Sequence, residues 1–364
     1  MQTSIIKTRG PADIVTLVLP SRSEHCITVS GRDHVAMQRL LRDAAGERQA
    51  VILNRVVFAH CKYYENFRKN MMAADGLVAW LQGDACREAE ISSMQAWAVS
   101  GTRPRSIKSK GRETGFVYED EYARYCRLSG VYPENLNASR PAQAREVFEI
   151  MKSALKEQGF RFTDTVRTWF ALNRLLEWYE EFNRVRTTFF EENDVFVKMV
   201  PASTGIGPAN QFGAALICDL LAVQPKTSRL KIQSVLSPMQ ESALNYRSSF
   251  SRAVELAFPT HRSLLVSGTA SIDKDGQSAH AGDPARQIDL TMRVVGALLR
   301  SRDMDWNDLF RGIAYFKNMD DRTFFDKYCA NHDIPVFSLA VAHLDLCRKD
   351  LLFEIEVDAV KKAE

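Results

Sequence analysis

No run of about eighteen apolar residues occurs in the 364-residue chain, so the sequence offers no helix able to span a bilayer. Its first residues, Met1-Gln2-Thr3-Ser4-Ile5-Ile6-Lys7, lack the long apolar segment of a secretory leader. Cysteine is sparse and unpaired in pattern: seven residues, at 26, 61, 86, 126, 218, 329 and 347, with no Cys-x-x-Cys. That count and spacing exclude a disulfide scaffold and a zinc site, and reduced thiols in a cytoplasmic protein are expected. The seven histidines show no metal-ligand spacing either. An excess of one charge is also missing. Forty-eight basic residues stand against 45 acidic ones, a net +3, which points away from nucleic acid and from an anionic membrane surface. Thr204-Gly205-Ile206-Gly207 lacks the Lys-Ser/Thr of a phosphate loop, and Gly205 and Gly207 read instead as a tight turn where backbone approaches a ligand.

What is present is most distinctive near the C-terminal end. Cys347 to Glu356 closes on a strand whose alternation puts Leu352, Glu354 and Glu356 on one face and Phe353, Ile355 and Val357 on the other. Two acids on one strand face imply either a wet face or a carboxylate aimed into a cleft.

The chain also contains a repeat. Val99-Ser100-Gly101-Thr102 recurs as Val266-Ser267-Gly268-Thr269. Pro141 and Pro284 each open a helical pattern, as suits a first helical turn. Asp164 and Asp308 each precede a strand carrying Arg three residues on, Arg167 and Arg311. A second helix follows in both halves, Leu175 to Glu192 and Asp321 to Asn331. The pattern predicts an α+β protein of two tandem β-β-α-β-α-β modules, each a mixed sheet with helices packed on one face. The first domain would span 1–224, with an N-terminal extension and an insertion at 103–140. The second would span 225–364 and carry the acidic closing strand.

The half pattern resembles the Rid (YjgF) superfamily of small β-α-β proteins. Two such halves, together with three further stretches, resemble a narrower group, the chorismatases. These are Pro201 to Gly207; Ser237-Pro238-Met239-Gln240 with Tyr246 and Ser248-Ser249-Phe250-Ser251-Arg252-Ala253; and Cys347-Arg348 leading to Glu354. Simple Rid deaminases have an Arg shortly after a Pro, where this chain has Val336, Phe337 and Ser338, or Ser203 and Thr204 in the first half. The resemblance therefore does not extend to enamine deamination. Arg247 also departs from the chorismatase pattern, which has Gly there.

The resemblance implies conversion of chorismate to 3-hydroxybenzoate and pyruvate, or its hydrolysis to a dihydroxy-cyclohexadiene carboxylate and pyruvate, without metal or organic cofactor. A non-catalytic small-carboxylate binder is the alternative of a different class. Glu354 is expected as the general acid, a carboxyl whose proton is retained near neutral pH by burial. Cys347 is expected to steer water against ring closure, as its counterpart in 3-hydroxybenzoate-forming relatives implies. Arg252 is expected to clamp a carboxylate through its planar fork. Tyr246, Ser249 and Ser251 are expected to offer hydroxyls, and Gly205 close backbone approach. Glu356 is expected to support Glu354, Arg167 and Arg311 to form structural pairs, and His280 to reach a cleft as a minor candidate. The expected partner is a small-molecule substrate, and the expected state a monomer or small homo-oligomer.

Overall fold

Three sheets of matching strand order follow one another along the chain. The computed structural model describes residues 3–72, 75–83, 93–109, 111–246, 248–335 and 338–363. The first sheet is built from β1 (Ser4–Thr8), β2 (Asp13–Val18), β3 (Ser23–Ser30), α1 (His34–Gly46), β4 (Val51–Phe58), α2 (Tyr64–Lys69), β5 (Leu77–Gln82) and β6 (Ser93–Ser100). The second takes β7 (Arg105–Ser109), β8 (Arg112–Glu119), β9 (Ala123–Val131), α3 (Arg140–Glu157), β10 (Thr165–Leu172), α4 (Tyr179–Glu192), α5 (Val195–Lys198), β11 (Ala202–Ile206) and, after the two-residue β12 (Ala209–Asn210) that leaves this sheet, β13 (Leu216–Pro225). The third takes β14 (Lys231–Val235), β15 (Ala253–Ala257), β16 (His261–Ala270), α6 (Pro284–Arg300), β17 (Leu309–Phe316), α7 (Arg322–Asn331), β18 (Leu339–His343) and β19 (Phe353–Lys362).

The strand orders are β1-β2-β3-β6-β4-β5, β7-β8-β9-β13-β10-β11 and β14-β15-β16-β19-β17-β18, with β12 added to the edge of the first sheet beside β5. Each sheet has one parallel pair, β4/β5, β10/β11 and β17/β18, in an otherwise antiparallel array. A register shift sits at the same place in all three, at Ile52/Asn54, Thr165/Arg167 and Leu309/Arg311. The α+β class is as expected, but three sheets of one strand order replace the expected two modules. Residues 103–140 hold β7, β8 and β9 rather than an insertion, and the residues before 100 form a sheet of their own.

The Val-Ser-Gly-Thr match misled the count. Val99–Thr102 runs out of β6, the last strand of its sheet, whereas Val266–Thr269 lies in β16, the third strand of its own. The register equivalent of Ser267-Gly268 is Ser129-Gly130 in β9, while in β3 the single residue Thr28 takes that place. A four-residue identity carries no register; strand pairing does.

Helices cover one face of each sheet. α6 starts at Pro284 behind the Asp283 cap and buries Ile288, Met292, Val295 and Leu299, the spacing of one helical face. These residues pack on Phe353, Ile355 and Val357 of β19. The opposite sheet faces meet one another around a shared interior that includes Phe58, Leu81, Ala171, Ile217, Ile313 and Tyr315.

Three polar contacts at equivalent register positions join neighbouring sheets. Arg167 donates to Glu356 at 2.9 Å, Arg311 to Gln95 at 2.9 Å, and Asn54 to Asp219 at 3.4 Å. The repeat is thus closed into a ring, and each junction differs in chemistry. Among the described residues no helix is long and apolar enough to cross a membrane.

Candidate functional site

β19 fixes the two acids. Both are buried, Glu354 at 4% exposure and Glu356 at 0%, so the face that carries them is not wet. Glu356 is gripped by Arg167 at 2.9 Å, by Arg311, and by the Trp169 indole N–H at 2.9 Å. The guanidinium groups of Arg311 and Arg167 hold its carboxyl below the ordinary glutamate range against the opposing effect of burial. Glu354 lies two residues away without such a cage. Burial pushes its carboxyl up to about 8, the Glu356 charge adds to the rise, and Arg167 opposes it. Glu354 therefore holds its proton at neutral pH while Glu356 stays ionised. Arg167 and Arg311 are structural pairs, as expected, and Arg311 also binds Asp358 at 3.0 Å.

Glu354 faces a cleft between the second and third sheets. One wall is β11, where Ser203 and Gly205 line the cleft; the facing wall is Gly268 of β16, and Cys347 and Arg348 lie at the approach to β19. The walls are tied together: the Gly268 N–H donates to Thr204 Oγ1 at 3.0 Å, and the Ser203 N–H to Ser267 Oγ at 2.8 Å. A β-carbon on Gly205 would lie 3.5 Å from the Tyr179 ring, an ordinary van der Waals contact, so only a larger side chain would fill the cleft there. Gly207 has a different job: its N–H donates to the Asp345 carbonyl at 2.8 Å, and a side chain would collide with that segment.

Arg252 lines the cleft at 4% exposure, its Nε and Nη2 both donating to the Glu241 carbonyl at 3.0 and 2.9 Å. That edge of the fork is committed to the backbone, so a ligand meets a guanidinium of fixed orientation. Cys347 is a half-buried thiol whose pKa burial pushes up to about 12, with the Glu354 charge assisting, so it stays protonated. Ser249 and Ser251 do not line the cleft. Ser249 Oγ bonds Thr187 Oγ1 at 2.7 Å, and Ser251 Oγ donates to the Val200 carbonyl at 2.6 Å, so both stitch the third sheet onto the second. The alternation of an extended segment explains the correction: Ser248, Phe250 and Arg252 point to the cleft, and the residues between them point away. His280 sits in a left-handed turn before α6 and does not line the cleft. The Tyr246 side chain, Arg247 and Phe337 lie outside the described residues.

Two cleft residues escaped the sequence reading. Tyr179 and Arg186 are seven apart on α4 and so share a helix face. Arg186 is 2% exposed, donates to Asn183 Oδ1 at 2.6 Å and lies over the Phe182 and Phe250 rings at 5.4 and 5.9 Å. That spacing is the signal in the sequence, masked by Phe182, Phe189 and Phe190 of the same helix, which pack in the core. With Arg186, Arg252 and Arg348 around a carboxyl that keeps its proton, the cleft suits an anionic ligand.

The other two sheet junctions lack these features. Strand pairing puts Ile217 and Ser93 where the third sheet has Glu354, and Trp80 and Val341 where the second has Gly205. Ser93 Oγ donates to the Val341 carbonyl at 2.9 Å, which fills the equivalent space. Among the described residues no group of three or more His, Cys, Asp or Glu is placed to hold a metal ion.

Comparison with known proteins agrees with the resemblance read from the sequence. The family model described as endoribonuclease L-PSP matches residues 240–361, the stretch that carries β15 to β19. A chorismatase of Streptomyces hygroscopicus is 28% identical over 197 residues, covering 50% of this chain and 55% of that protein. A 3-hydroxybenzoate synthase of the same organism is 25% identical over 275 residues, covering 68% of this chain and 76% of that protein. A crystal structure of a chorismatase matches with a TM-score of 0.66 at 16% identity, over 94% of this chain and 100% of that one, and shows a shared fold. The chain spans about half the length of the first curated relatives it matches, 55% and 57%.

Proposed function

We propose that the chain is a chorismatase that converts chorismate to 3-hydroxybenzoate and pyruvate. The observation that carries this reading is Glu354: a buried carboxyl, protonated at neutral pH, facing an arginine-lined cleft. Chorismate is a dianion with an enolpyruvyl ether. Arg252, with Arg186 across the cleft, holds its carboxylates. Glu354 gives its proton to the terminal methylene carbon, forming an oxocarbenium ion and leaving a carboxylate beside it. Glu356 stays anionic throughout because two arginines hold it, so its charge favours the protonated form of Glu354 before transfer.

Collapse of the cation divides two outcomes. Attack by water releases pyruvate and a dihydroxy-cyclohexadiene carboxylate. Attack by the neighbouring ring hydroxyl, which gives up its proton, closes a cyclic ketal in place of water; that oxygen's bond to the ring then breaks, the adjacent ring C–H proton is lost to aromatise the ring, and the resulting hemiketal expels 3-hydroxybenzoate as pyruvate forms, so no atoms are added to chorismate. Cys347, uncharged and at the cleft wall, occupies space that a water would take and favours the second course. The similarity to a 3-hydroxybenzoate synthase supports that choice. Incubation of purified protein with chorismate, followed by chromatography, tests the reading. Pyruvate and 3-hydroxybenzoate in equal amounts are expected; folded protein that releases no pyruvate overturns it.

A further inference from the structure

A second cavity, separate from the cleft, lies where the three sheets meet, with about 60 Å3 open to the centres of water-sized molecules. None of the cleft residues lines it. Its two ends differ. Phe58, Leu81, Ile206, Ile217 and Ile313 give one end apolar walls. Asn54, Trp97, Arg127 and Asp219 give the other end polar groups.

Arg127 is the anomaly. By strand pairing it occupies in β9 the position that Cys26 takes in β3 and Leu265 in β16. It is 4% exposed, and its guanidinium stacks on the Trp97 ring at 4.2 Å. The other arginine that lines this cavity, Arg311, is neutralised by Glu356 and Asp358, and Arg167, at the register equivalent of Arg311, by Glu356. Among the described residues Arg127 makes only a 3.4 Å bond to Asn54 Oδ1, and its Nε has no acceptor. The nearby Asp219 is turned to neutral donors instead, Ser129 Oγ at 2.8 Å and the Gly130 N–H at 2.7 Å. The Trp97 indole N–H, at the same end, also lacks an acceptor. A buried cation with no carboxylate in ion-pair contact among the described residues, beside a second unsatisfied donor, is costly unless something supplies the acceptor.

From this geometry we infer a ligand site for a small aromatic monocarboxylate, its carboxylate on Arg127 and Trp97 and its ring between the apolar walls. An anion accepts from both donors, and the apolar side chains offer dispersion contacts to a ring. The inference does not depend on the reaction proposed for the cleft.

Isothermal titration with benzoate tests it, with benzamide as the uncharged control. The Arg252→Met variant, in which the cleft has lost its clamp, is expected to bind one benzoate per chain. Benzamide is expected to bind about tenfold or more weaker, since a charge-assisted pair is lost. Arg127→Met, combined with Arg252→Met, is expected to weaken benzoate by about tenfold or more for the same reason. Ile313→Phe, which narrows the apolar end without touching a charge, is expected to weaken it too, and reads the site should Arg127→Met fail to fold. No benzoate binding to the wild-type protein overturns the inference. So does binding that Arg252→Met abolishes while Arg127→Met and Ile313→Phe leave it unchanged.

Discussion

A β-carbon built on Gly268 would lie 2.1 Å from Oε1 of Glu354. The acid is therefore seated against bare backbone, and the position of its carboxyl depends on a side chain that is missing across the cleft. The next contacts of that β-carbon, at 3.1 Å, are the Glu354 carboxyl carbon and a Thr204 methyl, so the far end of a flexible side chain can move aside. Gly268→Ala is expected to fold, with a melting temperature near wild type, and to displace the carboxyl. Loss of general-acid placement is expected to lower kcat by about 10²-fold or more. Wild-type kcat in a folded variant would remove Glu354 from the reaction.

The rate is expected to fall as pH rises through about 8, because the acid must be protonated and burial holds its pKa there. Glu356 contributes to that value through its charge. Glu356→Gln removes the charge and leaves Arg167 beside Glu354, so the alkaline limb is expected to move to lower pH. A pH profile of kcat for both proteins checks the direction.

The same group makes stability depend on pH. An unfolded glutamate titrates near 4.5, and the folded Glu354 near 8. Between those values folding takes up a proton, so the stability this group contributes is fully present below the unfolded value and is lost as pH rises through the folded one. Glu354→Gln carries no charge at any pH. Its melting temperature is expected to exceed that of the wild type at pH 9 by more than at pH 5. A difference that is constant across that range would mean the carboxyl is solvated.

Cys347→Ala is expected to shift product from 3-hydroxybenzoate toward the dihydroxy-cyclohexadiene carboxylate while pyruvate release continues, since a smaller side chain admits water. Chromatography of the product mixture reads the ratio directly, and an unchanged ratio leaves the thiol with a packing role.

Gly205→Val copies into the second sheet the Val341 found at the matching position of the third. Its side chain would meet the Tyr179 ring across the opening. The expected result is a raised KM, with stability little changed because no core contact is removed. An unaltered KM would place the substrate away from β11.

By itself the sequence determined the parity of the closing strand, and with it the placement of Glu354 and Glu356 on one face. It also determined where α3 and α6 begin, because a proline in the first turn and a capping side chain act over only a few residues. The number of sheets was not legible. The equivalent positions Gln95, Asp219 and Glu356 share register but not identity, and a chance Val-Ser-Gly-Thr match pointed to the wrong strand. Nor was it legible which acid keeps its proton. That depends on Arg167, which reaches Glu356 from 189 residues away, and on Arg311, held on the adjacent strand. Two glutamates in the same local sequence environment acquire opposite charge states because tertiary packing sets two guanidinium groups against one and leaves the other buried beside that neighbour's negative charge.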